Sequence, residues 1–273
     1  MTNLSLLERA RTAPSVPLSF DDLKRVEESP RRGELTATSL RQLVRCAEAG
    51  TLQNRVGEAR FAQSLRASLE AKSQVLRLKR MLDVVGALIG LIVLSPLLIG
   101  VAIAIRVTTP GPALFRQWRY GLRNVPFEVY KFRTFYADRS DQTGVKQTVA
   151  NDNRVTPLGR VLRRTNIDEL PQLINILLGQ MSLVGPRPHA MGMLADGVVY
   201  EKLIPAYPLR HLVTPGLTGL AQVRGFRGPT TGRFAARGRL LNDLIYAQRL
   251  SVLLDVRIIL TTVVLELRRA SGS

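Results

Sequence analysis

Cysteine is almost absent from this chain. The single thiol, Cys46, cannot close an intramolecular disulfide, which excludes a disulfide scaffold, a cysteine-rich zinc site and a CxxC redox centre. Two histidines, His189 and His211, leave little for a histidine-based metal cluster and few ways to build a Ser-His-Asp triad. One Trp and an aromatic share of 5% also argue against a nucleic-acid surface, where bases stack on aromatics interleaved with basic groups. Acidic residues are scarce as well: 21 Asp and Glu stand against 39 Lys and Arg, a net charge of +18 over 273 residues. That excess suits a phosphate-rich partner, whether nucleic acid, an anionic membrane surface or a phosphorylated substrate. A hydrophobic share of 45% argues against wholesale disorder.

The charge is mostly arginine and lies mostly in the second part, with 25 basic and 12 acidic groups in residues 80–273 against 14 and 9 in residues 1–79. Residues 1–78 are polar, with Phe20 and Phe61 as their only aromatics. Leu40, Leu43, Val44, Leu65, Leu69 and Leu76 recur at roughly helical intervals, which predicts a helical pattern over Thr38–Leu78 in an otherwise mobile or helical cytoplasmic extension. The start of the chain lacks the apolar core of a cleavable signal peptide.

From Val84 to Ile105 the chain runs 22 residues without a formal charge. As a helix this is about 33 Å long, against a hydrocarbon core of about 30 Å. The segment is expected in lipid. Ser95 and Pro96 fall in its middle, and a mid-helix proline removes a backbone hydrogen bond and bends the axis. Both flanks are basic, with Arg77, Lys79 and Arg80 before and Arg106, Arg116, Arg119 and Arg123 after, so neither side is favoured as the outer one. A re-entrant helix-break-helix over 79–109 satisfies both observations; a single span is the alternative. Asp83 is expected at the interface, beside Lys79 or Arg80.

Residues 110–269 read as a small globular core. Ala113–Gln117 and Phe127–Phe132 look like short strands, Asp138–Asn153 is a polar loop, and a short arginine-rich helix ends at Arg164. Asp168–Leu178 has one apolar face, with Pro171 tolerated in the first turn and Gly179 as its stop. Gly185-Pro186-Arg187-Pro188 is a rigid loop. The tail, Leu240–Arg269, forms two amphipathic helices with arginine edges, suited either to a bilayer surface or to the protein's own core. The expected fold class is α+β, mostly helical and monotopic in the membrane.

The chemistry centres on Asp168 and Glu169. Neighbouring carboxylates on a helix diverge by about 100 degrees, so they do not flank one bond as a glycosidase pair does. One can attack while the other holds a metal. At a helix N-terminus Asp168 would stay ionised and free N–H groups would face an approaching phosphate, although an acidic N-cap is a common structural feature too. Lys131, Arg133, Arg154, Arg163, Arg164 and Arg187 exceed the nearby acids, and a carboxylate attacks a diphosphate only where cations offset the phosphate charge.

The motifs GPALFRQWRYG, KFRTF, NRVTPLGRVLRR, IDELPQLINILLGQMSLVGPRP and TPGLTGLAQVRG, with Lys79-Arg80 and Asp83 before a membrane helix containing Ser95-Pro96, resemble the bacterial sugar transferase family, the monotopic phosphoglycosyl transferases. The resemblance covers about residues 79–267. It implies transfer of a sugar 1-phosphate from a UDP-sugar to undecaprenyl phosphate with release of UMP, as the first membrane step of exopolysaccharide synthesis at the cytoplasmic face of the bacterial inner membrane. Asp168 would be the nucleophile that carries a phosphosugar intermediate, and Glu169 the Mg2+ ligand. Lys131, Arg133, Arg163 and Arg187 match positions expected to bind phosphates or the nucleotide, and Ser95-Pro96 matches the break of a re-entrant helix. GPRPH and TPGLTGLAQVRG look most like members that transfer glucose or galactose 1-phosphate. Phe135, where the family often has Met, and Leu250, where Trp is common, depart from the pattern, and residues 1–78 match neither the longer nor the shortest members. The expected partners are the UDP-sugar, undecaprenyl phosphate and the membrane, without nucleic acid and with a homo-oligomer left open. A membrane-tethered basic binding protein for nucleic acid or anionic lipid, without catalysis, is the competing reading.

Overall fold

The computed structural model describes residues 40, 52–139, 152–228, 230 and 232–271. The expected extension over 1–78 therefore lies partly outside the described residues, as does most of the loop Asp138–Asn153. What is described of the extension is the helix α1, Leu52–Ala71. Phe61, Leu65 and Leu69 recur every fourth residue and so share one side of it, and all three are buried in the same core as Leu40, Tyr200, Leu240 and Leu244. The extension thus supplies part of the core.

After Lys72 the chain enters α2, Ser73–Thr108. Its first turns are pinned by charged side chains that have left water only because each is paired. Lys79 Nζ donates to Asp255 Oδ2 at 2.7 Å and to the Val184 carbonyl at 2.8 Å. Asp83, expected at the interface beside a basic neighbour, is instead buried, and its Oδ1 accepts from Ser182 Oγ at 2.9 Å and from the Leu183 N–H at 2.8 Å. Gly86 and Gly90 let the body approach this helix: a Cβ at Gly86 would lie 2.7 Å from Leu183 Cδ1, and one at Gly90 3.2 Å from Leu173 Cδ1. Farther on, Val101 and Ile105 pack with Phe132 and Leu162.

Through Ser95-Pro96 the backbone stays helical: α2 is one helix of 36 residues with Pro96 inside it. Pro96 has no N–H for the Ile92 carbonyl four residues earlier. Ser95 Oγ donates to that carbonyl at 2.8 Å and takes over the missing bond. Leu88, Ile89, Ile92, Val93, Ile99 and Ile103 are each 48–68% exposed. So large an uncovered apolar surface is consistent with membrane association, and α2 is long and apolar enough to cross a bilayer by length and composition.

The expected strands appear and are longer. β1, Leu114–Tyr120, pairs antiparallel with β2, Pro126–Phe132, from Leu114 opposite Phe132 to Tyr120 opposite Pro126. Next come α3, Pro157–Arg164, capped by Thr156 Oγ1 accepting from the Gly159 N–H at 2.8 Å, and the short α4, Gln172–Leu177. Arg80 of α2 donates to the Ile176 and Leu177 carbonyls at 2.6 and 2.9 Å, which satisfies the C-terminal end of α4. Asn175, fully buried, clasps β2: its Oδ1 accepts from the Tyr130 N–H at 2.9 Å and its Nδ2 donates to the Glu128 carbonyl at 2.7 Å.

β3, Ser182–Val184, lies parallel to β6, Gly216–Thr218. Between them come the hairpin of β4, Leu194–Ala195, and β5, Val198–Val199, and the single turn α5, Tyr200–Leu203. After β6 come α6, Leu220–Val223, α7, Arg233–Arg249, and α8, Val252–Ser271. The described architecture is mostly helical α+β with three two-stranded sheets.

The two tail helices differ from the expected amphipathic pair. α7 is a core helix: Ala236, Leu240, Leu244, Ile245, Tyr246 and Ala247 are all at most 3% exposed. It is enclosed by α1, α6 and the turn Tyr207–Leu212, so of the two surfaces open to it this helix takes the protein's own core. α8 does keep an open apolar stripe, with Leu253, Leu260, Val263 and Leu267 at least half exposed.

Candidate active site

Asp168 and Glu169 do not open an α-helix. They lie on the 3-10 turn Ile167–Glu169, entered through Asn166 in the left-handed region at φ 55°. The N–H groups of Glu169 and Leu170 are spent on the Asn166 and Ile167 carbonyls at 3.1 and 3.2 Å, and Pro171 has none. None of the amides from Glu169 to Pro171 is therefore free for a phosphate, and side chains supply positive charge on that side.

Glu169 is gripped by two of the expected cations. Lys131 Nζ donates to its Oε1 at 2.7 Å, and Arg187 is bidentate, with one nitrogen on Oε2 at 2.8 Å and the other on Oε1. Burial pushes the Glu169 carboxyl up, but Arg187 and Lys131 more than offset this and hold it well below the usual carboxylate range. Glu169 in turn raises Arg187, while burial lowers Lys131.

Asp168 is different. Only 7% exposed, it receives no hydrogen bond from any described residue. Burial, opposed by Lys131, pushes its carboxyl up to about 6. One acid of the pair is thus a fixed anion and the other a carboxyl that accepts no hydrogen bond from the described residues, in partial isolation from water. Different environments for neighbouring carboxylates give them different chemistry.

Arg163 is held beside this pair by Thr134 Oγ1, 3.3 Å from its Nη1, and by the Phe135 ring, 5.2 Å from its guanidinium carbon. Arg154 lies over the same ring at 5.2 Å. Phe135, the departure from the family pattern, thus carries two guanidinium groups by cation–π attraction.

The structure takes Arg133 away from the site. Its guanidinium donates to the Thr109 carbonyl and Thr109 Oγ1, both at 2.9 Å, and to the Pro110 carbonyl, and so fastens the end of α2 to the end of β2. Arg119 takes its place among the site cations. It shares one face of the β1–β2 hairpin with Lys131, because Phe115 opposes Lys131 and Arg119 lies four residues farther along. It donates to the Pro188 carbonyl at 3.4 Å, and its pKa falls to about 10, through burial and then the charge of Arg187. In the sequence Arg119 is only a flank of the membrane segment; two-residue alternation from Lys131 across the hairpin is the signal that points to it.

The loop bearing Arg187 is clamped from behind. The Gly185 N–H donates to Thr218 O at 2.8 Å and the Gly216 N–H to Pro186 O at 3.0 Å. A Cβ on Gly185 would strike the Thr214 carbonyl. Arg210 donates to the Arg187 carbonyl at 2.7 Å, pairs with Asp243 at 2.7 Å and lies 2.9 Å from His189 Nδ1. Both histidines are kept neutral: burial, then Arg210, lowers His189 far below its ordinary value and His211 to about 3. A histidine depressed in this way leaves the unfolded chain binding protons that the folded one refuses. The histidine contribution to stability should therefore be level above about pH 6.5 and fall as pH drops below it, by up to about 1.4 kcal/mol per pH unit for each histidine, offset in part below about pH 6 by protonation of the raised Asp168 carboxyl. Thermal midpoints between pH 7.5 and 5 check this, and His211→Gln should flatten the slope.

Among the described residues no three His, Cys, Asp or Glu side chains cluster as a metal site. Magnesium asks for less, one or two carboxylates together with substrate phosphates. Glu169 Oε2 carries a single donor and Asp168 none, so hard oxygen atoms remain for such an ion.

Such a site, a shielded carboxylate among fixed cations beside a lipid-facing helix, defines a membrane-associated transferase for phosphate-bearing substrates. The chain belongs to the bacterial sugar transferase family, whose model matches residues 74–269. It is 53% identical over 195 residues to the exopolysaccharide production protein PSS of Rhizobium leguminosarum bv. phaseoli, covering 71% of this chain and 98% of that one. It is 50% identical over 185 residues to a UDP-glucose:undecaprenyl-phosphate glucose-1-phosphate transferase of Caulobacter vibrioides, covering 68% of each. A protein of the same name from Escherichia coli K12 is 46% identical over 186 residues, which span 68% of this chain and 39% of that protein.

Proposed function

We propose that this protein transfers glucose 1-phosphate from UDP-glucose to undecaprenyl phosphate, releasing UMP, in exopolysaccharide production. The observation that carries the reading is the bare, buried Asp168 carboxylate beside a Glu169 fixed by Lys131 and Arg187. An Asp168 oxygen attacks the phosphorus that bears the sugar. The bond from that phosphorus to the bridging oxygen breaks, UMP leaves with the electron pair, and the glucosyl phosphate stays on Asp168 as an acyl phosphate. An oxygen of undecaprenyl phosphate then attacks the same phosphorus and frees the carboxylate, so the two anionic substrates never share the site. Lys131, Arg187, Arg163 and Arg119 offset the diphosphate charge. Mg2+ held at Glu169 would add further positive charge there.

The reading includes a topology. Both ends of α2 are tied to one globular body, through Lys79 and Asp83 at the start and through Thr109 and Arg133 at the end. Its length, about 54 Å for a straight helix of 36 residues, exceeds a bilayer core of about 30 Å. A helix whose two ends rest on one body cannot deliver them to opposite faces. α2 enters the membrane and stays on one side, the cytoplasmic one, where the nucleotide sugar is.

The purified protein with UDP-glucose, undecaprenyl phosphate and Mg2+ should release UMP and form a lipid-linked glucosyl diphosphate. UMP release with another UDP-sugar but not with UDP-glucose would overturn the sugar assignment, and no release with any would overturn the activity.

A further inference from the structure

Between the first half of α2 and α8 lies a cavity of about 600 Å³, within the ~300–1,000 Å³ typical of small-molecule sites. Its body is aliphatic, with Leu82 and Val85 from α2, Leu217 from β6, and Val256, Ile259 and Val263 from α8. Its wall also includes Glu169, Asn166, Arg227 and Glu266. These polar groups gather on the catalytic turn: Asn166 Nδ2 donates to Glu266 Oε2 at 2.8 Å, and Arg227 donates to Glu266 Oε1. The cavity therefore reaches Glu169 at one place, and its mostly aliphatic wall also carries Lys79, Asp83, Asp255, Thr218 and Thr262.

The aliphatic walls are continuous with the lipid-facing surface. Leu82, Val85, Val256 and Val263 line the cavity and are also 42–52% exposed. A nucleotide sugar is polar along its whole length and gains nothing from branched aliphatic walls. A phosphorylated lipid matches both parts. Its head group, at the Glu169 end, comes beside Lys131 and Arg187, which both hold Glu169, and its tail passes from the bilayer to aliphatic walls without entering water.

We propose that this cavity receives the isoprene units next to the phosphate of the acceptor lipid and so aims that phosphate at Asp168. The proposal rests on the reading of the chain as a polyprenyl-phosphate sugar transferase, and commits the cavity to the acceptor tail rather than to an acyl chain of a bilayer phospholipid.

Ile259→Trp would narrow the cavity, whereas Leu260→Trp, on the next residue of α8 and 61% exposed, adds the same bulk outside it. Two measurements on the full chain in lipid nanodiscs separate the half-reactions. Exchange of labelled UMP into UDP-glucose without acceptor reports the step at Asp168, and KM for undecaprenyl phosphate reports the acceptor. Ile259→Trp is expected to leave exchange unchanged and raise that KM by about tenfold or more, while Leu260→Trp changes neither. Normal exchange with an unchanged KM in Ile259→Trp overturns the cavity assignment and leaves the transferase reading standing. Absence of exchange in the unaltered protein overturns the transferase reading itself. If Ile259→Trp loses exchange as well, photolabelling of the unaltered protein decides. A polyprenyl phosphate with a diazirine on its first isoprene should mark peptides of α8, and undecaprenyl phosphate should compete the label away. Labelling elsewhere, or labelling of α8 by a diazirine phospholipid that undecaprenyl phosphate does not displace, overturns the proposal.

Discussion

Asp168→Asn should reduce UMP release by about a thousandfold or more, because the amide keeps the shape of the side chain and removes the attacking oxygen on which both half-reactions depend. The same variant should fold at least as well as the parent. A carboxyl raised to about 6 by burial favours the folded state only while protonated, and that contribution is lost as pH rises through about 6. At pH 7 the ionised Asp168 therefore opposes folding, and a neutral side chain removes the penalty. Stability and activity should move in opposite directions, as expected where a site is maintained against its own preference. UMP release and a thermal midpoint measured on the same preparation check both halves. Near-normal turnover in the variant would remove Asp168 from the mechanism, and a large fall in the midpoint would mean that the lost activity reports unfolding.

Asp243→Ala should cost about 3–5 kcal/mol of stability, the usual penalty for stripping one partner from a buried ion pair. Arg210 and Asp243 side chains are 1% and 2% exposed, so the guanidinium left behind cannot reach water. A domain stable by only about 5–15 kcal/mol feels such a loss directly. The effect should also reach the site, since Arg210 holds the Arg187 carbonyl at 2.7 Å and Arg187 holds Glu169. Asp243→Ala is expected to lower both the thermal midpoint and the rate of UMP release, and Asp243→Asn to do less of each because it retains an acceptor for Arg210. A midpoint within a degree or two of the parent for Asp243→Ala would show that Arg210 finds another partner.

What was legible in the chain followed from local pattern. A charge-free run from Val84 to Ile105 reads as a long apolar helix, and the aromatic-rich Phe127–Phe132 as a short strand. Local pattern was incomplete where other contacts compete with it. Pro96 lacks an N–H for the carbonyl four residues earlier, and the hydroxyl one residue before it serves that carbonyl. Asp168 reads as the start of a helix because an apolar periodicity follows it, but Asn166 and Pro171 tighten the chain into a 3-10 turn first. The apolar residues from Leu240 suit a bilayer face or a core face equally, and burial of Leu240, Leu244 and Ile245 to at most 3% exposure decides for the core.

The sequence alone determined the membrane helix, the hairpin, the acidic pair and the rigid Gly-Pro loop, since hydrophobic runs, two-residue alternation and turn chemistry act between neighbours. Only the tertiary structure decided which cations meet the acids. Lys131 and Arg187 reach Glu169 from 38 and 18 residues away, Arg119 joins them across the hairpin, and Arg133, two residues from Lys131, is spent on the end of α2. A charge carries no record of its partner in its own identity; the partner is chosen by which burial the whole chain can satisfy at once.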